Sequence, residues 1–499
     1  MKSNSLKCMC ILALALMAVG GFIVTGCGGS SSSSSSSGKG GGITCDGTTT
    51  QTADGIKLSG TFCQDMTLTA GTKWFLDGGV FIGKDSANNT PTLTIEAGTT
   101  IYGLGGTPPG MLVVRRHANI HAVGTAADPI VFTSAQSKGS RNPGDWGGLI
   151  INGLAPTNIC GTAPCTGSET PTGEGSSGKY GGTDPTDDSG ILKYVRVEFA
   201  GHVFTSQDEL NGIAFQGVGS GTTVDYIQVH RNKDDGMEMF GGYTQVKHVL
   251  LTGHVDDSFD WTDGWQGMAQ YVAIQQYPDA ADQGIEADNN GNDHSASPKS
   301  HPILANFTIV GQADPGHADY ADVNSSDSPK GILVRHGTEA EIYNSIVLDM
   351  TSKNVDIDSE VTWNNTDYNN AYANAQLLMD SCMVFQSAGS SGDNFQDGEN
   401  EGTFTDPANV SDWYDNWSNN EIADPVLEDP YKDFALVGSN VTVSNNVPDF
   451  RYTAGSPAAI TTDLKDVNSI DPFLENAGYR GAMDDTIDWT AGWTTHEPY

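Results

Sequence analysis

Three short runs of the sequence place a carboxylate directly after an apolar residue: Met237-Glu238, Phe259-Asp260 and Ile285-Glu286. Successive side chains of a β-strand point to opposite faces, so apolar residues that face inward put these acids on the outer surface. If the strands stack as neighbours, the acids form a ladder with a spacing of about 4.8 Å. Two carboxylates at that spacing repel each other by roughly 3 kcal/mol at an effective dielectric near 20. Protonation or a bound cation would relieve this repulsion.

Acidic turn residues surround this ladder and complete a candidate metal site. Carboxylate and amide oxygens are the ligands that Ca²⁺ prefers, and the chain has no Cys-x-x-Cys or Cys/His metal pattern. We take the nearby His230 and His254 as turn residues, and residues 288–293 as a loop of oxygen ligands without the EF-hand spacing. The alternative is that the acids only cap turn amides. The predicted Ca²⁺ ligands are Asp234, Asp235, Glu238, Asp256, Asp257, Asp260, Asp263, Glu286 and Asp288, with Asp282 as a further turn acid.

The same acids allow two catalytic interpretations. Ca²⁺ that grips a uronate, with Arg231 or Lys233 removing the adjacent proton, would make a polysaccharide lyase. Asp257 paired with Asp260 or Glu238 would make a glycoside hydrolase. Acid pairs are common in a chain with 62 acidic residues, and no Ser/His/Asp signature, phosphate-binding loop or cysteine nucleophile accompanies them. We therefore expect a non-catalytic protein and keep the carbohydrate-active enzyme as the alternative.

The elements that must position these acids are short strands separated by polar turns. Runs that begin at Gly212, Gly236, Ser258, Gly284 and Gly331 each open a strand, and each is followed by a second apolar run. The first three opening runs lie 24 and 22 residues apart, which is the length of one coil of a solenoid. The second strands are expected at 224–229, 246–251, 269–274, 303–310 and 341–348.

This repeat predicts an all-β protein, a right-handed parallel β-helix with loop insertions at 160–188 and 352–420. A β-sandwich or β-propeller is the alternative all-β architecture. We expect an N-terminal cap at 43–75, the β-helix at 76–460 and a Trp-rich C-terminal cap at 461–499.

The first 42 residues indicate export and attachment to a membrane. Residues 1–26 have the basic start, short apolar run and small-residue end of a signal peptide. The sequence Val24-Thr25-Gly26-Cys27 resembles a bacterial lipobox, which implies cleavage before Cys27 and its lipidation. Residues 27–42 then form a Gly/Ser tether that cannot bury a core. Gly28 resembles the pattern of lipoproteins sent to the outer membrane, so we expect a lipid-anchored protein at the cell surface.

Cysteines and charge limit the environment and the partners. In an oxidising compartment, Cys45 is expected to pair with Cys63 and Cys160 with Cys165, leaving Cys382 buried and free. The formal net charge of −38 argues against nucleic acid as a partner and favours cations.

Five stretches of the chain resemble a family of uncharacterised bacterial parallel β-helix lipoproteins that are secreted or surface-anchored. They are residues 144–153, 230–238, 256–265, 286–290 and 478–482. The stretch at 256–265, Asp-Asp-Ser-Phe-Asp-Trp-Thr-Asp-Gly-Trp, is the most specific. The resemblance implies fold and location and supplies no catalytic residue. Residues 424–458 also resemble the last coil of many right-handed β-helix proteins.

Together these observations predict a Ca²⁺-stabilised β-helix, anchored in the outer membrane through lipid on Cys27, that binds an extracellular polymer or a surface partner. The alternatives are a polysaccharide lyase or glycoside hydrolase, and an accessory subunit of an outer-membrane receptor. An open groove with aromatic side chains would favour sugars, whereas a flat ladder without a cleft would favour scaffolding.

Overall fold

The computed structural model describes one folded unit, Ile43 to Tyr499. Within these residues, 27 strands belong to one hydrogen-bonded sheet that winds along the chain. None of the helices described is long and apolar enough to cross a bilayer. The expected signal peptide, Cys27 and tether lie outside the described residues, which are 43–160, 165, 170–205, 208–277, 279, 281–311, 329–387, 394–397, 410–417, 419–437, 440–459, 462 and 464–499.

One strand of each coil contributes to a parallel sheet that we call the first sheet. Its strands pair in register from coil to coil. In chain order they are Ile56–Phe62, Trp74–Ile82, Met111–Val114, Gly148–Asn152, Ile213–Gln216, Met237–Phe240, Phe259–Thr262, Ile285–Ala287, Ile332–Val334, Val355–Ile357 and Phe395–Asp397.

Two further parallel sheets complete each coil, and five long strands bend so that they belong to both. The second sheet contains the first halves of Ile56–Phe62 and Trp74–Ile82. Its other strands are Thr100–Gly103, Ile130–Ser134, Gly190–Glu198, Thr223–His230, Gln245–Thr252, Met268–Gln275, Ile303–Val310, Ile346–Leu348, Met383–Phe385 and Glu421–Ile422. The third contains Met66–Leu68, Thr92–Ile95, Asn119–Val123, the first halves of the five strands between 190 and 310, Ala340–Tyr343 and Leu377–Asp380. Parallel pairing in three stacked sheets confirms the predicted parallel β-helix.

The bend between the third and second sheets is made by one residue of left-handed backbone in each coil. Tyr194, Tyr226, His248 and Tyr271 have φ of 51°, 58°, 48° and 60°, a conformation that costs a non-glycine residue roughly 1–2 kcal/mol. Their rings stack with centroid separations of 4.4, 4.3 and 5.0 Å, which offsets part of that cost. Asn306, Asn344 and Ser381 continue the same column.

The core fills the interior of the coil. On the strands of the first sheet, Met237, Phe259 and Ile285 are buried within one continuous apolar cluster. Trp261 and Trp265 lie in the same cluster and are fully buried. Because these side chains point inward, the alternate residues must point away from the core.

Smaller elements lie outside the three sheets. Four antiparallel strand pairs and seven short helices connect or flank the coils in the described part of the chain. The strand pairs are Thr172–Gly173 with Gly178–Lys179, Val203–Thr205 with Asp208–Glu209, Leu427–Asp429 with Asp449–Tyr452, and Phe434–Val437 with Asn440–Val443. The α-helices are Glu360–Trp363 and Val410–Asp415, and the 3₁₀ helices are Glu174–Ser176, Asn364–Thr366, Tyr368–Asn370, Pro457–Ala459 and Val467–Ser469.

The predicted N-terminal boundary of the β-helix is wrong. Ile56–Phe62 already pairs in parallel with Trp74–Ile82, so the coils begin inside the expected cap at 43–75. Thr48–Gln51, antiparallel to Ile56–Phe62, lies at the start of the stack. Ile56–Phe62 is only partly buried, because a coil at the end of a stack has one neighbour, and its sequence therefore lacks the apolar run that marks a central strand.

The C-terminal segment, residues 464–499, is not a cap on the far end of the helix as expected. It runs along the side of the coils. Gln270 Oε1 accepts a hydrogen bond of 2.8 Å from Glu475 N, and Gln228 Oε1 accepts one of 2.8 Å from Thr495 N. Arg196 donates to the carbonyl of Trp493 at 2.9 Å. Contacts this distant along the chain leave no local signal in the sequence.

Two other expectations about the C-terminal half are corrected. The interval 352–420 is not a plain loop insertion, because Val355–Ile357, Leu377–Asp380 and Met383–Phe385 pair in parallel with the preceding coil. Residues 424–458 do not form a final coil, because their strands pair antiparallel with each other. Polar residues dominate both intervals, so the short strands within them have no regular apolar pattern that would predict them.

The cysteine predictions are confirmed. Cys45 and Cys63 form a disulfide, as do Cys160 and Cys165. Cys382 is buried and free, and burial raises the pKa of its thiol to about 12.

Candidate metal centre

The three ladder acids occupy neighbouring strands of the first sheet in register. Glu238 pairs with Asp260, and Asp260 pairs with Glu286. Their strand neighbours Met237, Phe259 and Ile285 are in the core, so the carboxylates lie on the outer face, as the alternation predicts.

Loops on both sides enclose this ladder and form a cavity of about 390 Å³ that we call the acidic cleft. Its lining contains eleven acidic side chains and one cation, Arg335. At neutral pH such a set is stable only if protons or bound cations offset most of the charge. The acids are Glu174, Asp208, Glu209, Asp234, Asp235, Glu238, Asp256, Asp257, Asp260, Asp282 and Glu286.

Carboxylate oxygens in the cleft are close enough to share a cation. Three groups each place one oxygen per residue within 4.8 Å of the others: Asp235 with Asp257 and Asp260, Glu209 with Asp234 and Asp256, and Asp256 with Asp257 and Asp282. The first two groups have no residue in common, so they are two separate candidate positions for a cation.

One carboxylate oxygen of the cleft, Oδ1 of Asp260, is buried without a hydrogen-bond donor among the described residues. Asp260 exposes only 9 % of its surface, and no donor from the described residues reaches its Oδ1. A buried carboxylate oxygen without a partner carries a large desolvation cost. An oxygen-liganded cation held with Asp235 and Asp257 would satisfy it, so the donor set fits Ca²⁺.

Hydrogen bonds fix the other carboxylates around this point. The backbone amide of Asp257 donates to Asp235 Oδ1 at 3.1 Å, and that of Gln283 donates to Asp257 Oδ1 at 2.5 Å. Asn211 Nδ2 donates to Glu238 Oε2 at 2.5 Å. Each of these bonds holds one oxygen of a carboxylate and orients the group in the cleft.

Burial and mutual repulsion raise the pKa of the acids in the cleft. Burial is the larger cause and neighbouring carboxylates add to it, so the pKa of Asp234 is raised to about 7. Burial likewise raises the pKa of Glu286 to about 8, although the charge of Arg335 opposes the rise. The pKa values of Asp235, Asp257 and Asp260 are raised well above their ordinary range for the same reasons.

Two predicted ligands, Asp288 and Asp263, lie apart from the cleft. Asp288 Oδ1 accepts a hydrogen bond of 2.8 Å from Arg335 Nε, and its Oδ2 lies 2.8 Å from His336 Nδ1. Burial would raise its pKa, but these two partners hold it below its usual range. Asp263 accepts a hydrogen bond of 3.2 Å from the hydroxyl of Tyr180. Both acids have protein partners and neither lines the cleft, so the ligand set that we propose does not include them.

The cations and histidines considered from the sequence do not line the cleft. Arg231 forms a bidentate ion pair with Asp279 at 2.8 and 2.9 Å. His230 bonds Thr252 and the carbonyl of Glu497, on the side covered by the C-terminal segment. Lys233 is exposed next to Asp234.

Three acids of the cleft and its one cation were not predicted from the sequence. Asp282 was named among the turn acids, and it lies three residues before Ile285 as Asp234 and Asp256 lie before Met237 and Phe259. Glu174 lies in a 3₁₀ helix, and Asp208 and Glu209 lie in a short antiparallel strand; both elements are outside the repeat, so no periodicity points to them. Arg335 follows the strand Ile332–Val334 and reaches back to Glu286 and Asp288.

A family model described as a pectate-lyase-like β-helix domain matches residues 60–420. The chain belongs to this family. Every residue that lines the acidic cleft lies inside the matched part of this pectate-lyase-like domain. Searches of curated proteins and of solved structures found no match.

Proposed function

We propose that this protein is a lipid-anchored cell-surface β-helix whose acidic cleft binds Ca²⁺ and, with it, an anionic extracellular polysaccharide. The unpartnered, buried Oδ1 of Asp260, beside carboxylates within 4.8 Å, carries the proposal. The pectate-lyase-like character of the domain supports a polysaccharide as the ligand.

The proposed polymer follows from the charge of the cleft. Eleven acids would repel an anionic chain unless cations offset them. Ca²⁺ takes six to eight oxygen ligands. A group of three carboxylates leaves coordination positions for a ligand carboxylate, so the ion would join the protein to a uronate.

The test is calorimetric titration of the protein with an acidic polysaccharide, polygalacturonate or alginate, in Ca²⁺ and in chelator. We expect binding in Ca²⁺ alone, and no binding of neutral dextran. The variant Asp257→Asn/Asp260→Asn should lose binding. The control Asp54→Asn/Asp485→Asn changes two exposed acids elsewhere and should keep it. Equal binding by both variants would rule out the cleft as the site.

Attachment to the membrane is proposed from the sequence alone. Lipid on Cys27 would hold the domain at the membrane through a tether, residues 27–42. Cys27→Ser should abolish labelling with radioactive palmitate and shift the protein from the membrane fraction to the soluble fraction. Unchanged labelling would show that Cys27 is not the lipidated residue.

Catalysis on the same polysaccharide is the second candidate. Its supporting observation is a set of buried carboxyls whose raised pKa keeps a proton available at neutral pH, as a general acid requires. Arg335 is held by Glu286 and Asp288 and is a poor base, which argues against a lyase that uses it. Unsaturated uronate products would establish a lyase, new reducing ends a hydrolase, and neither would favour binding alone.

A further inference from the structure

The outward column that contains the ladder acids continues toward the N-terminal coils. Glu238 pairs with Ala214, which pairs with Ile150, which pairs with Val113. Val113 pairs in turn with Phe81. The outer face of the first sheet is therefore apolar over four coils before it becomes acidic.

Loops cover the middle of this apolar stretch and leave its end open. Tyr180 and Leu210 pack on Val113, Ile150 and Ala214 in a small separate cluster. Beyond them a cavity of about 330 Å³ remains at Phe81, a size within the range of ligand pockets. We call it the apolar pocket, and its lining is Gly79, Phe81, Pro108, Met111, Gly175, Ser176, Phe204 and Asp208.

The pocket walls are held in place. The guanidinium of Arg115 lies 4.1 Å from the ring centroid of Phe81 and supports that ring. A Cβ at Gly79 would lie 2.5 Å from the same ring, so a larger residue there would displace Phe81. Phe204, from the strand Val203–Thr205, also lines the pocket.

The apolar pocket and the acidic cleft adjoin, because Asp208 lines both. Four strand spacings separate Phe81 from Glu238 along the sheet, about 19 Å at the usual distance between strands. A single sugar cannot span that length, whereas a chain lying parallel to the helix axis can.

We propose that the apolar pocket is a distal subsite for an acidic oligosaccharide, in which the face of one sugar ring packs on Phe81 while uronate groups further along the chain occupy the cation-loaded cleft. This inference rests on the proposed function. A chain that is both anionic and built of rings with apolar faces matches the acidic cleft and the apolar pocket together.

The test measures the affinity of the full-length protein for oligouronates of increasing length at fixed Ca²⁺. Phe81→Ala should bind long chains about tenfold more weakly than the parent protein and short chains equally well. Phe204→Ala, at a lining residue outside the core of the coil, should give the same pattern. Phe75→Ala is the matched control, because Phe75 lies on the same strand and stacks on Tyr102 outside the pocket.

The outcomes separate the two proposals. If the parent protein binds no oligouronate in Ca²⁺, the proposed function fails. If it binds but Phe81→Ala and Phe204→Ala retain full affinity for long chains, only the distal subsite is wrong. Equal dependence on Phe81 for an acidic peptide such as polyglutamate would overturn the assignment to sugar rings.

Discussion

Asp260 and Arg335 divide the acidic cleft into two halves with different electrostatics. Arg335 contacts Glu286 and Asp288, so the carboxylates at that end of the ladder already have a cation. Asp260 keeps an oxygen that no donor of the described residues reaches, and it lies beside Asp235 and Asp257. The charge of Arg335 acts on Asp260 without an ion pair to it. The metal is therefore expected at the end of the ladder away from Arg335.

The variant Arg335→Gln tests whether Arg335 neutralises one end of the ladder while the metal binds at the other. Loss of the arginine leaves Glu286 and Asp288 buried without their cation, which should cost about 1–3 kcal/mol of folding free energy in chelator, a value reduced because Arg335 is partly exposed. The cleft becomes more negative, so the increase in Tm on adding Ca²⁺ should be larger than in the parent protein. Thermal unfolding with and without Ca²⁺ measures both quantities. A smaller Ca²⁺ shift would contradict the proposed position of the ion.

At the scale of elements, the column of left-handed residues and the C-terminal segment depend on each other. The ring of Trp493 meets Tyr194 edge to face at 5.5 Å, and the ring of Trp489 meets His248 at 5.4 Å. The C-terminal segment thus covers aromatic rings that otherwise line the outside of the bend. Its backbone also satisfies Gln228 and Gln270.

Trp493→Ala tests this covering role. Trp493 is 1 % exposed, and truncation of a buried Trp costs about 3–5 kcal/mol. Ile487→Ala, in the same segment but 61 % exposed, should be nearly neutral. Urea unfolding of both variants gives the comparison. Equal stability of the two would mean that the C-terminal segment contributes little to the fold.

Local patterns in the sequence predict the fold and the ladder, whereas contacts between distant residues leave no such pattern. Alternation of apolar and acidic residues at a coil-length repeat was sufficient to predict the parallel β-helix and the register of Glu238, Asp260 and Glu286. The loop acids, Arg335 and the path of residues 464–499 depend on contacts between residues far apart in the chain. No local periodicity encodes those contacts, so the sequence alone did not show them.

At the scale of the whole molecule, the net charge of −38 is partly concentrated in one buried cleft. A carboxyl whose pKa is higher in the folded protein than in the unfolded chain binds its proton more readily when folded. The metal-free fold therefore gains stability as the pH falls through that raised pKa. Because Ca²⁺ needs the deprotonated carboxylates, its affinity changes in the opposite direction.

The pH dependence in chelator follows from the acids with pKa values near neutrality. The pKa is raised to about 7 for Asp234 and Asp263, and to about 8 for Glu286. As the pH falls from about 8.5 to about 6.5, protonation of these acids should raise the free energy of unfolding by about 1–3 kcal/mol. Below that range, buried histidines such as His254 and His496, whose pKa values burial lowers to about 3, oppose the gain. Urea unfolding at both pH values measures the change, and a loss of stability over this range would contradict the electrostatics described.

The most direct test of the acidic cleft as a metal centre is thermal unfolding of residues 43–499 in Ca²⁺ and in chelator, for the parent protein and for Asp257→Asn/Asp260→Asn. We predict a large rise in Tm with Ca²⁺ in the parent protein that is lost in the variant and kept in the control Asp54→Asn/Asp485→Asn. In chelator the variant should melt no lower than the parent, because two repelling carboxyls have become neutral amides. A parent protein whose Tm does not respond to Ca²⁺ would contradict the metal centre and leave the acids as turn caps.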